Sequence, residues 1–381
     1  MEIKIKELGE IITGNTPSKT VAEFWNSEDI CFVKPDIISE KGVNEILGSK
    51  EYISEKARKK ARIVSENSIF ITCIGSIGKI GIASEGEYAF NQQINAIVPN
   101  EKVNPRYLAY DLLFNRPRLI DIANAPVVPI INKNQFGDFI INIDSDVNRQ
   151  IEIAGVLDKL VNIIELREKK LSVLDDLIKA RFIELFGDPV SNSRGLPENT
   201  LPEMGEFGRG VSKHRPRNDP KLLGGKHPLI QTGDVAAADL YITEYNSTYS
   251  DLGLAQSKKW QKGTLCITIA ANIAKTAILD FDACFPDSVV GFIANEKTNN
   301  VYIHYWFSFF QRILEAQAPE SAQKNINLKI LSELKVICPD KDEQDAFAAF
   351  VAQVNKSKVA VQKALDETQI LFDSLMQEYF G

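Results

Sequence analysis

The 381-residue sequence has few of the side chains that most often carry catalysis or bind metals. It contains three histidines and five cysteines, and no two cysteines form a Cys-x-x-Cys pair. An odd number of unclustered cysteines argues against a disulfide scaffold and against a zinc ribbon, and favours a reducing compartment. The H-E-x-x-H and G-x-S-x-G motifs are also absent. The sequence therefore offers no familiar catalytic or metal site.

Net positive charge and long apolar runs are missing as well. The chain has 44 Lys and Arg against 51 Asp and Glu, a net charge of -7, so attraction to a polyanion cannot come from the chain as a whole. No stretch approaches the roughly 18 apolar residues of a membrane span, and the first ten residues lack a signal-peptide core. We expect a cytoplasmic protein of two or three domains, in which any nucleic-acid binding uses local patches.

The chain contains an internal repeat at an offset of about 195 residues. Similar segments follow one another in the same order in both halves: 69–74 and 265–270, 90–97 and 285–292, and Ile131-Asn132 and Ile326-Asn327. Their composition is typical of short buried strands and their connecting turns. The common order and nearly constant offset predict two globular regions of the same fold.

Each half ends in a heptad pattern. Ten positions from Ile153 to Leu185 step by four and three residues, and eight of them are apolar; ten positions from Phe347 to Tyr379 repeat the pattern. Such spacing is typical of a coiled coil. Each helix could instead pack only on its own domain. Two faces of equal length and register favour packing of the helices on each other.

The connection between the halves limits their arrangement. A short linker makes the paired helices antiparallel, so we predict an α+β fold in which two pseudo-repeat globular domains are separated by an antiparallel coiled coil. Two similar domains on a stiff spacer suit a ligand that repeats on that scale, such as B-DNA with its turn of roughly 34–36 Å. The predicted boundaries are 1–145 for the first domain, 146–187 for the first helix, 188–195 for the linker, 196–339 for the second domain and 340–381 for the second helix.

One segment of this acidic chain is strongly basic. Between residues 209 and 226 the only acid is Asp219, and glycines and prolines predict a loop. Its candidate DNA-binding residues are Arg209, Lys213, His214, Arg215, Arg217 and Lys226. Arginine can bond guanine bidentately, and lysine can neutralise phosphate. A merely solvated loop is the alternative. A second basic run at residues 56–62 is as compatible with a solvated helix face as with a DNA contact.

Equivalent positions of the two halves supply further candidates. Gly75 to Gly81 lacks the spacing of a P-loop and predicts a tight turn, from which Lys79 and its repeat partner Lys275 could reach phosphate. Gln92 and Gln93 stand where the second half has Asp287 and Ser288. Amides can bond adenine and a carboxylate can accept from cytosine, although all four could equally be turn caps. Six more polar candidates are Ser18, Lys19, Lys34, Lys133, Gln231 and Lys324.

The whole chain resembles the specificity (S) subunits of type I restriction-modification systems. The resemblance is carried by the motifs Thr13 to Ser18, Ile71 to Gly81, Asn91-Gln92-Gln93, Leu185 to Pro189, Lys213 to Pro220, Gln231 to Val235 and Phe285 to Val289. Their order, together with the duplicated layout of domain and helix, is more specific than any one of them. The segment 271–275 lacks the glycines of 75–81, so the conformation of one loop cannot be transferred to the other.

The resemblance implies a function for each part of the chain. The globular regions would be two target recognition domains that each read one half of an asymmetric, bipartite site in double-stranded DNA. The helices would set the gap and dock two modification (methyltransferase) subunits, and restriction subunits would join that core. S-adenosylmethionine and ATP with Mg²⁺ would be bound only by those partners, and the S subunit itself would catalyse nothing.

Two other classes of protein remain open from the residues alone. A coiled-coil scaffold without DNA recognition would bind partners in a salt-insensitive way, and the basic segment weighs against it. An enzyme with an unfamiliar site would turn over substrate as an isolated chain, and the missing motifs weigh against it.

Overall fold

The computed structural model describes residues 1–123, 128–270, 272–317 and 326–381. The chain divides into two compact units, of which the first comprises Met1–Lys169 with Gln362–Gly381 and the second comprises Lys170–Val361. The sequence placed the domain boundaries at the ends of the two long helices. The compact units instead each include part of both helices, because the helices contribute to both hydrophobic cores.

The described residues of the first unit form three sheets. Its strands are β1 (Glu2–Lys4), β2 (Gly9–Thr13), β3 (Ile30–Val33), β4 (Val43–Ile46), β5 (Tyr52–Ile53), β6 (Ile63–Ser65), β7 (Ile69–Thr72), β8 (Ile80–Ala83), β9 (Glu87–Phe90), β10 (Ile94–Pro99) and β11 (Ile140–Asn142). Its helices are α1 (Pro105–Phe114), α2 (Arg116–Ile122), α3 (Lys133–Gly137) and the start of α4 (Val147–Phe186). The sheet orders are β2-β10-β7-β8-β4, β5-β3-β9-β6 and β1-β11.

The described residues of the second unit form three sheets with the equivalent strand order. Its strands are β12 (Glu198–Asn199), β13 (Gly205–Arg209), β14 (Leu223–Leu229), β15 (Tyr241–Ile242), β16 (Ser247–Tyr249), β17 (Lys259–Trp260), β18 (Leu265–Thr268), β19 (Thr276–Leu279), β20 (Ala283–Cys284), β21 (Val289–Ala294) and β22 (Val336–Ile337). Its helices are α5 (Leu201–Met204), α6 (Thr232–Ala237), α7 (Asp251–Ala255), α8 (Asn300–Gln317) and α9 (Leu328–Glu333), together with the end of α4 from Lys170 onward and the first half of α10 (Lys341–Phe380), as far as Val361. The sheet orders are β13-β21-β18-β19-β15, β16-β14-β20-β17 and β12-β22.

The predicted repeat is confirmed strand by strand. In both five-stranded sheets the last strand is parallel to its neighbour and the other pairs are antiparallel. Equivalent residues also make equivalent bonds: the Asn104 side chain accepts from the backbone N–H of Tyr107, and the Asn299 side chain accepts from that of Tyr302. These are N-cap bonds that begin α1 and α8. The repeat therefore extends from topology to individual hydrogen bonds.

The central strands of the five-stranded sheets are apolar on both faces. All four residues of β7 are buried, and so are all four of β18. Continuous runs of this kind are expected where both faces of a sheet are covered. On one face the strands join the large core that contains the long helices, and on the other face they join the smaller core below the four-stranded sheet.

Within the first unit the start of α4 packs with the end of α10. Ile153 and Leu157 belong to the same core as Met376 and Phe380. Further along α4, the Arg167 guanidinium donates to the carbonyl of Ala364 and to the hydroxyl of Thr368. Residues later in α4 therefore meet residues earlier in α10, which makes these helix segments antiparallel.

Within the second unit the remaining segments pack in the same sense. Phe182 and Phe347 form an edge-to-face ring pair with centroids 5.4 Å apart. The Lys358 amine lies 2.6 Å from the Asp175 carboxylate and also pairs with Asp239. All twenty predicted heptad positions are buried or partly buried. The helices thus pack on each other, which confirms the favoured prediction, and they also pack on the globular cores.

One loop position has a similar backbone conformation in both halves. The absence of glycine from 271–275 left the conformation of that loop open. In the structure Ala274 has φ +58°, close to the +73° of its counterpart Gly78. Both residues donate their backbone N–H to the carbonyl of the equivalent threonine, Thr268 or Thr72. Tertiary hydrogen bonds therefore hold an alanine in the left-handed region that glycine usually occupies.

We expect Phe182→Ala to destabilise the second unit by roughly 3–5 kcal/mol, because the fully buried ring contacts aromatic rings of α8 and α10. The neighbouring Ile183→Ala is the matched control, since Ile183 is 39% exposed and should cost less than about 1 kcal/mol. Urea unfolding of the full chain measures both changes. Equal losses would contradict the assigned packing of this helix face.

Stability should also fall at acid pH because of His304. Its Nδ1 lies 3.0 Å from the Thr276 hydroxyl, and burial lowers the pKa of the imidazole from 6.5 to about 4. As pH falls, His304 is protonated in the unfolded chain before it is protonated in the folded protein. The free energy of unfolding therefore decreases between about pH 6.5 and pH 4, by roughly 3 kcal/mol at most. His304→Gln should flatten the pH dependence of unfolding in this window. An unchanged slope would show that the imidazole is not held neutral.

Candidate nucleic-acid interface

The same backbone crossing positions polar side chains in both units. After β2, the chain passes over the turn at residues 91–93 so closely that a Cβ at Gly14 would lie 2.2 Å from the Asn91 carbonyl oxygen. After β13, a Cβ at Gly210 would lie 2.2 Å from the Phe285 carbonyl oxygen. Only glycine fits at such a distance. We call residues 14–20 with 91–93 the first polar corner, and residues 210–219 with 286–288 the second polar corner.

The first polar corner is built from neutral hydrogen bonds. The Thr16 hydroxyl donates to the Gln92 side-chain oxygen at 2.9 Å, and the Asn91 amide donates to the Gln93 oxygen at 2.9 Å. Gln92 is exposed, whereas Gln93 is half-buried. Because a primary amide also carries two N–H donors, the bond from Thr16 leaves the nitrogen of Gln92 able to donate to a ligand.

Two charged candidates, Lys19 in this corner and Lys34 beside it, form ion pairs with the carboxylate of Glu51. Lys34 pairs with Glu51, and the Lys19 amine lies 3.3 Å from the same carboxylate and 5.3 Å from the centre of the Trp25 ring. These pairings, that with Lys34 first, hold the pKa of Glu51 below its usual value. The Ser18 hydroxyl forms a 2.8 Å bond with that of Thr20. Lys19 and Ser18 are exposed, and Lys34 is half-buried.

The two lysines predicted to reach phosphate, Lys79 and Lys275, have different surroundings. The Lys79 side chain is 12% exposed, and its amine lies 2.9 Å from Glu40 and 3.3 Å from the Pro35 carbonyl. Arg116 binds the other oxygen of Glu40 at 2.7 Å. Lys79 therefore braces the loop at residues 35–40 rather than offering a free amine. Lys275, its counterpart, is exposed, as is Lys133 at the start of α3.

The backbone of the second polar corner is anchored by a distant glutamine. The Gln256 side-chain oxygen accepts the backbone N–H groups of Lys213 and His214 at 2.6 and 3.0 Å. Next to it, the Ser257 hydroxyl donates to the Val211 carbonyl at 2.7 Å. These bonds fix the path of the chain just before its arginines, although the side chains of Lys213 and His214 remain exposed.

Two arginines of this corner share one acid. Arg215 Nη2 lies 3.5 Å from Asp287 Oδ2, and Arg217 Nη2 pairs with Asp287 Oδ1. The other terminal nitrogen of Arg215 donates to the carbonyls of Ser212 and His214 at 2.6 and 2.8 Å. Asp287 is therefore an ion-pair partner of the basic segment in addition to being a turn residue.

The basic segment is only partly a loop. Leu223–Leu229 forms β14, so the prediction of a loop is wrong for residues 223–226. A register irregularity between Leu223 and His227 and the positive φ of Gly224 explain why a glycine-rich stretch can pair as a strand. Arg209 ends β13 and is exposed.

Two histidine–aspartate pairs flank the arginines. His214 Nε2 lies 3.1 Å from Asp219, and His227 Nε2 lies 2.8 Å from Asp251, which is also 3.7 Å from the Lys226 amine. The hydrogen bond with His227, and next the positive charge of Lys226, lower the pKa of Asp251. The pKa of Asp219 is lowered chiefly by the backbone N–H of Lys221. These two acids, Asp251 exposed and Asp219 half-buried, reduce the positive charge of the segment.

Two further candidates, Gln231 and Ser288, form hydrogen bonds within the second unit. Gln231 donates its backbone N–H to Asp234 at 2.7 Å and its amide to Ser247 at 3.4 Å, so it begins α6 as a cap residue. Ser288 is half-buried, and its carbonyl accepts from Ile269 at 3.0 Å. Lys324 lies outside the described residues.

Sequence reasoning missed the residues that organise the corners. Thr16 lies 76 residues from Gln92, Glu51 lies 17 residues from Lys34, and Gln256 lies 43 and 42 residues from Lys213 and His214. Thr16 lies within the motif Thr13 to Ser18 but was not predicted as a site residue, and no local pattern marks Glu51 or Gln256. Only the offset of the repeat, which aligns residues 14–16 with 210–212, hints that the corner is a shared element.

The described residues offer little for catalysis. They contain no group of three or more His, Cys, Asp or Glu that could hold a metal ion, and no helix among them is long and apolar enough to cross a membrane. All five cysteines are free, and burial raises the pKa of Cys31 to about 11 and that of Cys73 to about 12. Such thiols are poor nucleophiles near neutral pH. The chemistry that the corners can perform is recognition through hydrogen bonds and charge.

The chain matches a family model described as the type I restriction modification DNA specificity domain, over residues 1–175 and again over 198–368. The two matched stretches correspond to the two repeats of the chain.

Three curated relatives are specificity subunits. The chain is 29% identical over 208 residues to the type I restriction enzyme MjaIX specificity subunit of Methanocaldococcus jannaschii, covering 52% of this chain and 46% of the relative. It is 26% identical to the HindI specificity subunit of Haemophilus influenzae, covering 47% and 40%. It is 24% identical to the putative MjaX specificity subunit of M. jannaschii, covering 84% and 80%. The first two alignments thus span less than half the length of the relatives.

Two solved structures share the fold over the full chain. A type I restriction-modification S subunit from M. genitalium superposes with a TM-score of 0.64 at 15% identity, covering 100% of this chain and 96% of that one. A chain from a study of complex assembly and conformational transition of the type I R-M system gives 0.61 at 15% identity, covering 100% and 97%. With the family model matching most of its length, the chain belongs to the type I restriction-modification DNA specificity domain family.

Proposed function

We propose that this chain is the sequence-reading subunit of a type I restriction-modification complex, in which each unit reads one half of an asymmetric, bipartite site in double-stranded DNA. The observation that carries the proposal is the pair of polar corners. They occupy the same place in two units of identical topology, yet one presents Thr16 with Gln92 and the other presents Arg215 and Arg217 with Asp287. One scaffold with two different sets of side chains suits two different half-sites.

The chemistry of the corners supports reading of unlike bases. An amide such as that of Gln92 can bond adenine through both its donor and its acceptor, whereas an arginine fork matches the two acceptors of guanine. Exposed Lys213 and Lys226 in the second unit, and Lys133 in the first, are suited to phosphate, which positions a protein without reading sequence. The second corner thus carries a local excess of positive charge in a chain whose net charge is -7.

We further propose that α4 and α10 act as a spacer between the half-sites and as the docking surface for partners. Each helix has 40 residues and so a length of about 60 Å. Apolar side chains such as Leu166 and Val173 are 58% and 54% exposed, which suits coverage by another protein. Two modification (methyltransferase) subunits would occupy this surface, and restriction subunits would join them. S-adenosylmethionine and ATP with Mg²⁺ would be bound by those partners.

On this proposal the chain itself is not an enzyme. The buried, protonated thiols and the absence of a metal cluster among the described residues support a recognition role. The second candidate is a coiled-coil scaffold without DNA recognition. Among the described residues, the only observation that favours it is the exposure of apolar residues on the long helices. It does not account for the clustering of exposed arginines at one corner.

The function is tested by methylation-resolved sequencing of DNA from cells that express this chain with its modification subunit, compared with cells that lack only this chain. We expect a new methylated motif with two unlike halves and a constant unread gap. A stable complex that methylates no motif would contradict sequence reading and support the scaffold. Turnover by the isolated chain would contradict the assignment as a non-catalytic subunit.

We expect Arg217→Ala to weaken recognition of one half-site by roughly 1–3 kcal/mol and to leave the other half-site fully read, because Arg217 lies in the second unit only. Lys262→Ala removes the same charge from an exposed ion pair of that unit and should leave the motif unchanged. DNA binding by the assembled complex, measured on substrates altered in one half at a time, gives both results. Equal losses at both halves would contradict separate reading by the two units.

A further inference from the structure

We infer that Asp287 is a positioning residue that determines the specificity of the second unit: its carboxylate holds Arg215 and Arg217 in a fixed arrangement for base reading and keeps them from binding phosphate indiscriminately. The inference rests on the proposed function and assigns to Asp287 a role different from direct contact with a base. It follows from the anchoring of the turn, the bonds of the two arginines and the chemistry of the first corner.

Asp287 lies on a rigid part of the unit. In its turn, Val289 donates its backbone N–H to the Pro286 carbonyl at 3.0 Å, and the Ser288 carbonyl accepts from Ile269 at 3.0 Å. The Gly210 N–H is bonded to the Val289 carbonyl at 2.9 Å, which fastens the crossing chain to the same place. These bonds hold the backbone at Asp287 against the central strands of the five-stranded sheet. The side chain of Asp287 is only 34% exposed.

Arg215 is fixed by three hydrogen bonds. Two go to the carbonyls of Ser212 and His214, and the third goes to Asp287. A guanidinium has five N–H donors, so these bonds leave two for a ligand. The number and direction of the remaining donors are then set by the protein before any ligand binds. This preorganisation reduces the side-chain entropy that binding would otherwise cost.

Arg217 depends on Asp287 even more directly. Its ion-pair partner among the described residues is this carboxylate, and its side chain is 46% exposed. Two guanidinium groups close together repel each other, and a carboxylate between them removes that repulsion. Without it, both flexible side chains would be attracted to the nearest phosphates, which carry no sequence information.

The negative charge of Asp287 has a second effect. A carboxylate at the rim of a DNA-binding surface repels the phosphate backbone, so it lowers affinity for every sequence. Its benefit is therefore in discrimination rather than in affinity. The equivalent position of the first unit is Gln92, which is neutral and bonds Thr16. The carboxylate device thus belongs to the arginine-containing corner only.

The test uses the assembled complex of the full chain with its modification subunit. Asp287→Asn keeps the size of the side chain but removes its charge, and we expect roughly a tenfold loss of discrimination at the second half-site. Binding to DNA without the site should rise and depend more steeply on salt. Asp280→Asn is the matched control, because Asp280 forms an exposed ion pair with Lys262 at 2.8 Å in the same unit. It should leave the motif unchanged.

A double-mutant cycle separates positioning from direct reading. In the Arg215→Ala/Arg217→Ala background, Asp287→Asn should have almost no further effect on discrimination, because its action runs through the arginines. An additive loss confined to one base pair would overturn the inference and indicate that Asp287 accepts directly from cytosine. Asp287→Glu, which keeps the charge, should retain most of the discrimination. Normal discrimination by Asp287→Asn would also overturn the inference.

The outcomes also separate this inference from the proposed function. If the arginine variants relax the second half-site but Asp287→Asn behaves like Asp280→Asn, the positioning role is wrong and the reading role stands. If none of the variants changes the methylated motif although the complex assembles, the second corner does not read DNA. Thermal unfolding of each variant confirms that the second unit is folded in every comparison.

Discussion

The structure depends on the burial of the two long helices in the cores of the globular units. Phe380, at the end of α10, lies 5.0 Å from the ring of Tyr107, and Phe182 of α4 stacks on Tyr302 at 5.4 Å. Tyr107 and Tyr302 are equivalent residues, so each unit uses the same tyrosine to receive a helix. The first unit therefore needs residues from both ends of the chain, because its own strands leave one face of the five-stranded sheet to be covered.

In each unit, the backbone crossing at Gly14 or Gly210 determines which side chains the polar corner brings together. The crossing brings the loop that follows β2 or β13 against the turn that precedes β10 or β21. It therefore joins side chains that are about 75 residues apart in the sequence. The scaffold tolerates neutral amide bonds in one unit and an arginine–carboxylate cluster in the other. Recognition can therefore differ between halves while the fold remains the same.

Some of the candidate site was predictable from residue type and repeat offset. The exposed arginines and lysines of 209–217 and the equivalence of Gln92 with Asp287 follow from composition and alignment of the halves. The roles of Lys79 and Gln231 were not predictable, because a lysine beside glycines looks the same in sequence whether its amine is exposed or paired with Glu40. Ala274 shows the same limit for the backbone, since long-range hydrogen bonds override its preference against positive φ.

The sequence by itself determined the duplication, the α+β class, the length of the helices and the heptad faces that pack, because hydrophobic periodicity and repeat spacing are local properties of the chain. Only the tertiary structure decided that each compact unit contains parts of both helices, that Asp287 holds two arginines and that Gln256 fixes the chain before them. Those features depend on pairs of residues far apart in sequence, and their approach is set by the packing of strands and helices rather than by the identity of either residue.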